Sequence, residues 1–244
     1  LEQGMKSEMD MNGIVEAKAK GLSFHLGKKP LLSMGFLDEA VPAALGIMEF
    51  SNASGEIVCV PTGGSSGIVP AILITAAKGM KNSAESELRG LIASGIIGVL
   101  MAKNGNDFNG GECGCQVEIA SGTAMASGGL VQILGGTPKQ ACDAASMCLQ
   151  SFMGLICDPV AGLVQVPCFA RNMSGVSVAA VSAMTVLSGF DPLLPFSEVT
   201  DMMIKVGRQI ANTLGACCSG CSETPMGKRL AAEQVEKNKR VREV

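Results

Sequence analysis

Apolar residues along this chain recur in steps of three and four, and most such runs are closed by glycine or proline. That step is the spacing of one helical face, so it commits the chain to helices that pack through apolar stripes. From Leu37, the positions Ala40, Val41, Ala44, Ile47 and Met48 keep it, and the helix they predict ends near Ser51–Gly55. A second apolar helix is expected from Ile68 to about Gly79, with Pro70 tolerated because it falls in the first turn. Asn82, with Glu85 three residues on, reads as a capping box opening a helix that runs to about Lys103. A further apolar stretch spans Val117 to Leu134 and stops at Gly135 and Gly136. Strand signals are few, the clearest being the short β-like run Ile57–Val60 that leads into PTGGSSG.

The strongest start signal is Thr137-Pro138-Lys139-Gln140: an N-cap threonine, proline at the first helical position and glutamine at the third. The helix it opens carries Cys142 and Cys148 and is expected to reach about Leu155. Another is expected from Arg171 or Ser174 to Leu187, ended by Gly189. Ser197 is expected to cap an amphipathic helix with Val199, Met202, Met203, Val206, Ile210 and Leu214 on one face, stopped by Gly215. Beyond Gly227 the sequence turns charged, as a solvated tail or a surface helix. No internal repeat or linker divides the chain. The reading is an N-terminal segment over 1–34, a helical catalytic domain over 35–228 and a charged tail over 229–244.

Hydrophobic residues make up 47% of the 244, yet Trp and Tyr are absent and Phe numbers 8. The core must therefore be packed by Ala, Val, Ile, Leu and Met, and 31 glycines favour close approach of helix backbones. The fold class expected is all-α, a compact bundle of mostly buried helices. A mean hydropathy of +0.34 raises the question of a membrane. The longest apolar candidate, Leu88 to Met101, contains Arg89 and falls short of the roughly 18 to 20 residues a spanning helix needs, so no membrane is expected. With net charge −3 and no long basic patch before the C-terminal end, no nucleic-acid partner is expected either. No signal-peptide pattern opens the sequence, and ten cysteines without secretory features point to a reducing compartment, so a cytoplasmic chain is expected. The first residue is Leu1 rather than Met, which reads as a fragment, a trimmed form or one chain of a processed protein.

The cysteines separate by setting. Cys142 and Cys148 lie mid-helix among Ala, Met and Leu and read as small buried hydrophobes, and Cys59 as core or pocket lining. Cys217, Cys218 and Cys221 follow a helix end as an ordinary or redox-sensitive thiol cluster, without the His or fourth Cys of a zinc ribbon. Cys113 and Cys115 flank one glycine, too close for a relaxed disulfide. Cys115, Cys157 and Cys168 each lie where a helical pattern breaks: beside glycines, before Asp158–Pro159, and after Pro167. Such breaks free backbone N–H groups that can hydrogen-bond to thiolate. The lone histidine, His25, is remote, so an all-thiolate site would suit zinc or an iron–sulfur cluster, while three scattered cysteines are also compatible with simple burial. Three ligands on a metal that prefers four leave one position for substrate.

The loop Thr62-Gly63-Gly64-Ser65-Ser66-Gly67 precedes a helix, where its N–H groups and hydroxyls could bind a carboxylate; a tight turn with N-cap serines explains it equally well. A phosphate loop is disfavoured because no Walker lysine follows the glycines. The polar residues nearest the cysteine segments are Glu112, Lys103, Asn104, Gln116 and Asn172. They are candidates for substrate contact or proton transfer, Glu112 and Lys103 for acid–base work.

NGGECGCQ (109–116), CDPVAGLVQVPC (157–168) followed by Phe169-Ala170-Arg171-Asn172, VPTGGSSGIVPA (60–71), MAKN (101–104) and LGGTPKQA (134–141) together resemble the alpha chain of the iron–sulfur-dependent L-serine dehydratases. The resemblance covers roughly residues 35 to 229, in order, and its most specific part is the segment from Cys157 to Cys168. It implies an all-helical fold and a [4Fe–4S] cluster on Cys115, Cys157 and Cys168. It also implies no pyridoxal phosphate, and a beta-type subunit or domain that supplies part of the pocket in a homo- or hetero-oligomer. Cys113 stands where the family usually has glycine, and Ser66 where it often has cysteine or alanine. Region 216–223 is unusually cysteine-rich, so Cys113, Cys217, Cys218 and Cys221 are open as a resting fourth thiolate. The reaction implied is β-elimination of water from L-serine, giving pyruvate and ammonia, with the catalytic base unassigned. Its rivals are a cluster lyase that removes sulfide from L-cysteine, a pyridoxal-phosphate lyase, and a non-catalytic helical partner whose cysteines only pack.

Overall fold

The computed structural model describes residues 1–5, 9, 11–28, 32–103, 106–215, 217 and 220–242. Among them are helices α1 (Ala19–Lys28), α2 (Leu37–Asn52), α3 (Ile68–Lys78), α4 (Ser83–Ala102), the short α5 (Gly110–Cys113), α6 (Ser121–Ile133), α7 (Pro138–Phe152), α8 (Cys168–Leu187), α9 (Phe196–Leu214) and α10 (Pro225–Arg242). A π-helical turn, Gln116–Ala120, runs directly into α6. The fold is all-α, with no strand among the described residues. Nor is any described helix long and apolar enough to cross a membrane.

Helix α6 is the axis of the bundle, packed by α3, α4, α7 and α8 and buried at every position but Gln132. Its small residues make this possible. A Cβ on Gly129 would stand 2.3 Å from Ser94 Oγ and 2.7 Å from Gly90 O, so α4 and α6 cross backbone to backbone. In the core built on that contact Ile68, Ile72, Met101, Ile119, Leu149 and Met203 are fully buried, each contributing about 1.5–3 kcal/mol of transfer free energy. The opposite face of α4 leaves Leu88, Leu91, Ile92, Ile96 and Val99 more than half exposed.

Several local expectations are met. Helices α2, α3 and α4 start and stop within a residue or two of the punctuation, and Thr137 and Gln140 close the capping box of α7. Others are corrected. Residues 57–60 form no strand, having no ladder partner, and Val58 is 81% exposed. Asn82 precedes α4 without a side-chain cap, and Glu85 pairs with Arg89 one turn on instead of reaching back to the helix start. Helix α7 ends at Phe152, short of Leu155. Helix α8 begins at Cys168 rather than Arg171, since Arg171 N–H already donates to Pro167 O, and a proline just before the first turn loses no helical bond. Pro195, not Ser197, precedes α9. The charged end forms α10, and Cys59 is exposed rather than core.

Two buried side chains outside the sequence reading tie the N-terminal residues to the bundle. Glu49, 1% exposed, accepts from Lys18 N–H at 2.6 Å and Ala19 N–H at 3.1 Å, capping α1 from across the fold. Gln165 accepts from Ile14 N–H at 2.9 Å and donates to Asn12 O at 3.1 Å. Cys148 behaves as the sequence suggests. Burial pushes its thiol up to about 11, against the opposing Ser182 and Ser127 hydroxyls. Brief iodoacetamide treatment of the native protein at about pH 8 is expected to modify exposed Cys59 and leave Cys148 intact. Peptide mass spectrometry checks this, and equal labelling would refute the packing of α7.

Candidate metal centre

Three breaks in the helical chain converge beside the π-helical turn. Gly114, at φ +74°, lets the chain reverse after α5; a Cβ there would stand 2.7 Å from Leu155 O. Cys115 follows and is 3% exposed. Cys157 enters from the loop after α7, and Cys168, 7% exposed, is the first residue of α8. Cys115 Sγ, Cys157 Sγ and a carboxylate oxygen of Glu118 all lie within 4.8 Å of one another. Burial, and next the Cys115 sulfur, push the Cys168 thiol up to about 12. Cys157 is held well above the ordinary thiol range, first by Cys115, then by burial and by Cys217. A bound cation would favour the ionised form of Cys157 and Cys168, and soft thiolates are the donors that zinc and iron–sulfur clusters take.

Cys217 belongs to this group. Its Sγ lies 3.1 Å from that of Cys157. Of the other extra thiols, Cys113 is buried and raised by burial, and Cys221 is raised first by Asp158. Cys218 lies outside the described residues.

The polar candidates divide. Asn172, fully buried, accepts from Gly67 N–H at 3.1 Å and donates to Gly64 O at 2.7 Å and Cys168 O at 2.8 Å, so it fastens the glycine loop to the start of α8. Gln116, also fully buried, donates to Met203 O at 2.6 Å and accepts from Gly154 N–H at 2.7 Å. Its amide is spent on backbone rather than turned to a ligand. In the loop, Ser66 Oγ donates to Thr62 O at 2.8 Å and Ser65 Oγ lies 3.2 Å from Thr62 Oγ1, so both serines are buried within the turn. Thr62, Gly63 and Gly64 keep an accessible edge. Glu112 is exposed and accepts from Asn109 Nδ2 at 3.1 Å. Lys103 is exposed at the end of α4, and Asn104 lies outside the described residues. The place beside the thiols falls to Glu118, not Glu112.

Two features escaped the sequence reading. Glu118 is the only charged residue between Glu112 and Lys139, a signal that an isolated acid in an apolar run can give. Asp158, 2% exposed, accepts from Arg171 Nη2 at 2.7 Å and from Cys221 N–H at 2.8 Å, while Arg171 Nη1 donates to Ile156 O at 3.1 Å. This ion pair ties the Cys157 loop to α8 and to the segment after α9. Away from the thiols, a groove of about 450 Å³ lined by Ile47, Phe50, Val69, Leu73 and Leu91 contains no cysteine. Its apolar wall does not suit a small charged substrate.

The family model described as serine dehydratase alpha chain matches residues 1–220. This chain belongs to that family. It is 34% identical over 231 residues to a probable L-serine dehydratase alpha chain of Bacillus subtilis, covering 94% of this chain and 77% of that one. It is 43% identical over 179 residues to the L-serine dehydratase alpha chain of Peptoniphilus asaccharolyticus, covering 73% of this chain and 61% of the relative. Against the L-serine dehydratase TdcG of Escherichia coli it is 34% identical over 217 residues, covering 86% of this chain but 48% of the relative. This member of the serine dehydratase alpha chain family thus spans about half the length of the E. coli relative. All three converging cysteine segments lie inside the matched region, as does Cys217.

Proposed function

We propose that this chain is the catalytic alpha chain of an L-serine dehydratase, in which Cys115, Cys157 and Cys168 hold a [4Fe–4S] cluster. The grouping of Cys115 with Cys157 from separate chain breaks, with Cys168 near enough for the Cys115 sulfur to raise its thiol, carries the reading. When bound, such a cluster supplies a Lewis acid for the serine hydroxyl, a poor leaving group on its own. The chain positions the rest. Asn172 holds the Gly64 loop against Cys168, leaving the Thr62–Gly64 edge to receive the substrate carboxylate. Gln116 and the Asp158–Arg171 pair keep the three breaks in register. Loss of the α-proton and of the hydroxyl yields aminoacrylate and water; tautomerisation and hydrolysis of the imine then give pyruvate and ammonia. A beta-type partner completes the pocket, a reading supported by the relatives' alpha-chain names and by the exposed apolar face of α4. The described cysteines are all free, in keeping with a reducing cytoplasm.

Anaerobic purification with the partner is expected to give about four irons and four sulfides per alpha chain, and turnover of L-serine above L-threonine and L-cysteine. A clear preference for cysteine, or an iron-free active enzyme with an aldimine absorption band, would overturn the assignment.

A further inference from the structure

We infer that Gln165 is a positioning residue for the metal centre, clasping the N-terminal segment so that the turn presenting Cys168 keeps its place; the inference rests on the cluster reading above. Gln165 lies three residues before Cys168 and is 0% exposed. Its side-chain amide is turned to backbone 150 to 153 residues earlier in the chain. Oε1 accepts from Ile14 N–H at 2.9 Å and Val15 N–H at 3.2 Å, while Nε2 donates to Asn12 O at 3.1 Å. Both lone pairs of the oxygen are thereby used. Gly13, between these partners, passes directly over the amide: a Cβ there would stand 2.1 Å from Nε2 and 2.4 Å from Oε1.

The backbone of the same residue opens α8. Gln165 O accepts from Phe169 N–H at 2.8 Å, closing a turn that contains Cys168. Phe169, 7% exposed, joins Met11, Ala19, Leu45 and Met48 in an apolar cluster separate from the main core. The cysteine thus stands between two residues that the N-terminal segment holds, one by hydrogen bonds and one by packing. Further along that segment Glu49 fastens Lys18 N–H and Ala19 N–H, which fixes the far end of the clasp. Asn52 Nδ2 reaches Val164 O at 3.1 Å and Asn172 Nδ2 reaches Cys168 O at 2.8 Å, and neither bond involves the Gln165 amide. Loss of that amide leaves Asn12 O, Ile14 N–H and Val15 N–H without the partner they have in the fold, so the segment lifts rather than bury them unpaired. The turn it held then loosens, and the Cys168 sulfur is no longer kept where a cluster on three thiolates needs it.

The test compares Q165A, G13A and the double variant with wild type, each purified anaerobically with its partner chain. Two quantities are read: the rate at which a chelator strips iron and, once iron is removed, the iodoacetamide labelling of Cys168 against Cys115 and Cys148 in the same digest. Q165A is expected to speed both iron loss and Cys168 labelling by about 10–100-fold, the range for losing a support behind a metal ligand. Labelling of Cys115 and Cys148 is expected to stay within about twofold of wild type, because the opening is local to one turn. G13A keeps Gln165 and acts from the other side of the clasp. It is expected to give the same pattern, and the double variant no more than the larger single effect. A buried amide that served stability alone would loosen all three cysteines together. That outcome overturns the proposal, as do Q165A rates within about twofold of wild type, or effects of the two changes that multiply in full. Should Q165A fail to fold, G13A decides alone by the same rates and the same labelling pattern. Wild-type protein that takes up no iron removes the cluster reading itself, whereas the Cys168 labelling, read on the metal-free chain, still decides the clasp.

Discussion

Replacing Cys157 by serine is expected to abolish iron binding and serine turnover together, with iron below about a tenth of wild type and activity below about a hundredth. Cys157 is the sulfur on which the site converges, grouped with Cys115 and Glu118 and 3.1 Å from Cys217. A serine hydroxyl ionises too weakly to replace a thiolate, so the cluster would lose one of its three anchors. The folding cost should be small, because Cys157 is only half-buried and the exchange removes no buried apolar bulk. Urea denaturation of the metal-free protein should shift by less than about 1 kcal/mol. Cys148→Ala is the control: it sits at 0% exposure in α7, so its loss should cost about 1 kcal/mol and leave iron unchanged. Retention of iron and activity by Cys157→Ser would return the cysteines to a packing role.

Asp158→Ala is expected to be the more damaging change to the fold. The substitution leaves the Arg171 guanidinium, 13% exposed, without its counter-charge and Cys221 N–H without its acceptor. Breaking a buried pair from one side costs about 3–5 kcal/mol, a large share of the roughly 5–15 kcal/mol that holds a domain together. Chemical denaturation of the metal-free chain measures it, with Glu85→Ala as reference. The Glu85–Arg89 pair is more than half exposed on both sides, so its loss should cost at most about 0.5 kcal/mol. Iron loading should also fall in Asp158→Ala, since Arg171 holds Ile156 O beside Cys157. An effect no larger than that of Glu85→Ala would show that this tie does not position the loop.

These two positions differ in how far they could be read before folding. Cys157 was legible because its segment, with a cysteine before Asp–Pro and another after a later proline, carries its own punctuation. Asp158 read only as part of that break, and Arg171 as a helix start. Their pairing needs α8 to begin at Cys168, three residues earlier than the expected Arg171, which brings the guanidinium back over the loop. Gln116 likewise read as a substrate contact because it adjoins a ligand cysteine. Its partners, Met203 O and Gly154 N–H, lie on segments remote in sequence.

The sequence by itself determined the helical class and most helix ends, and it singled out Cys115, Cys157 and Cys168 as the cysteines that stand at chain breaks. Those signals are local: a cap, a proline, a glycine or an apolar step acts within one or two turns of backbone, so its free energy is present in the segment alone. Only the tertiary structure decided that Cys217, 60 residues from Cys157, reaches the same sulfur. Only it showed that Glu118 lies between Gly64 and Gly110. Such neighbours are chosen by how α6 is packed between α3, α4, α7 and α8, and that packing is a sum over many weak contacts that no single segment contains.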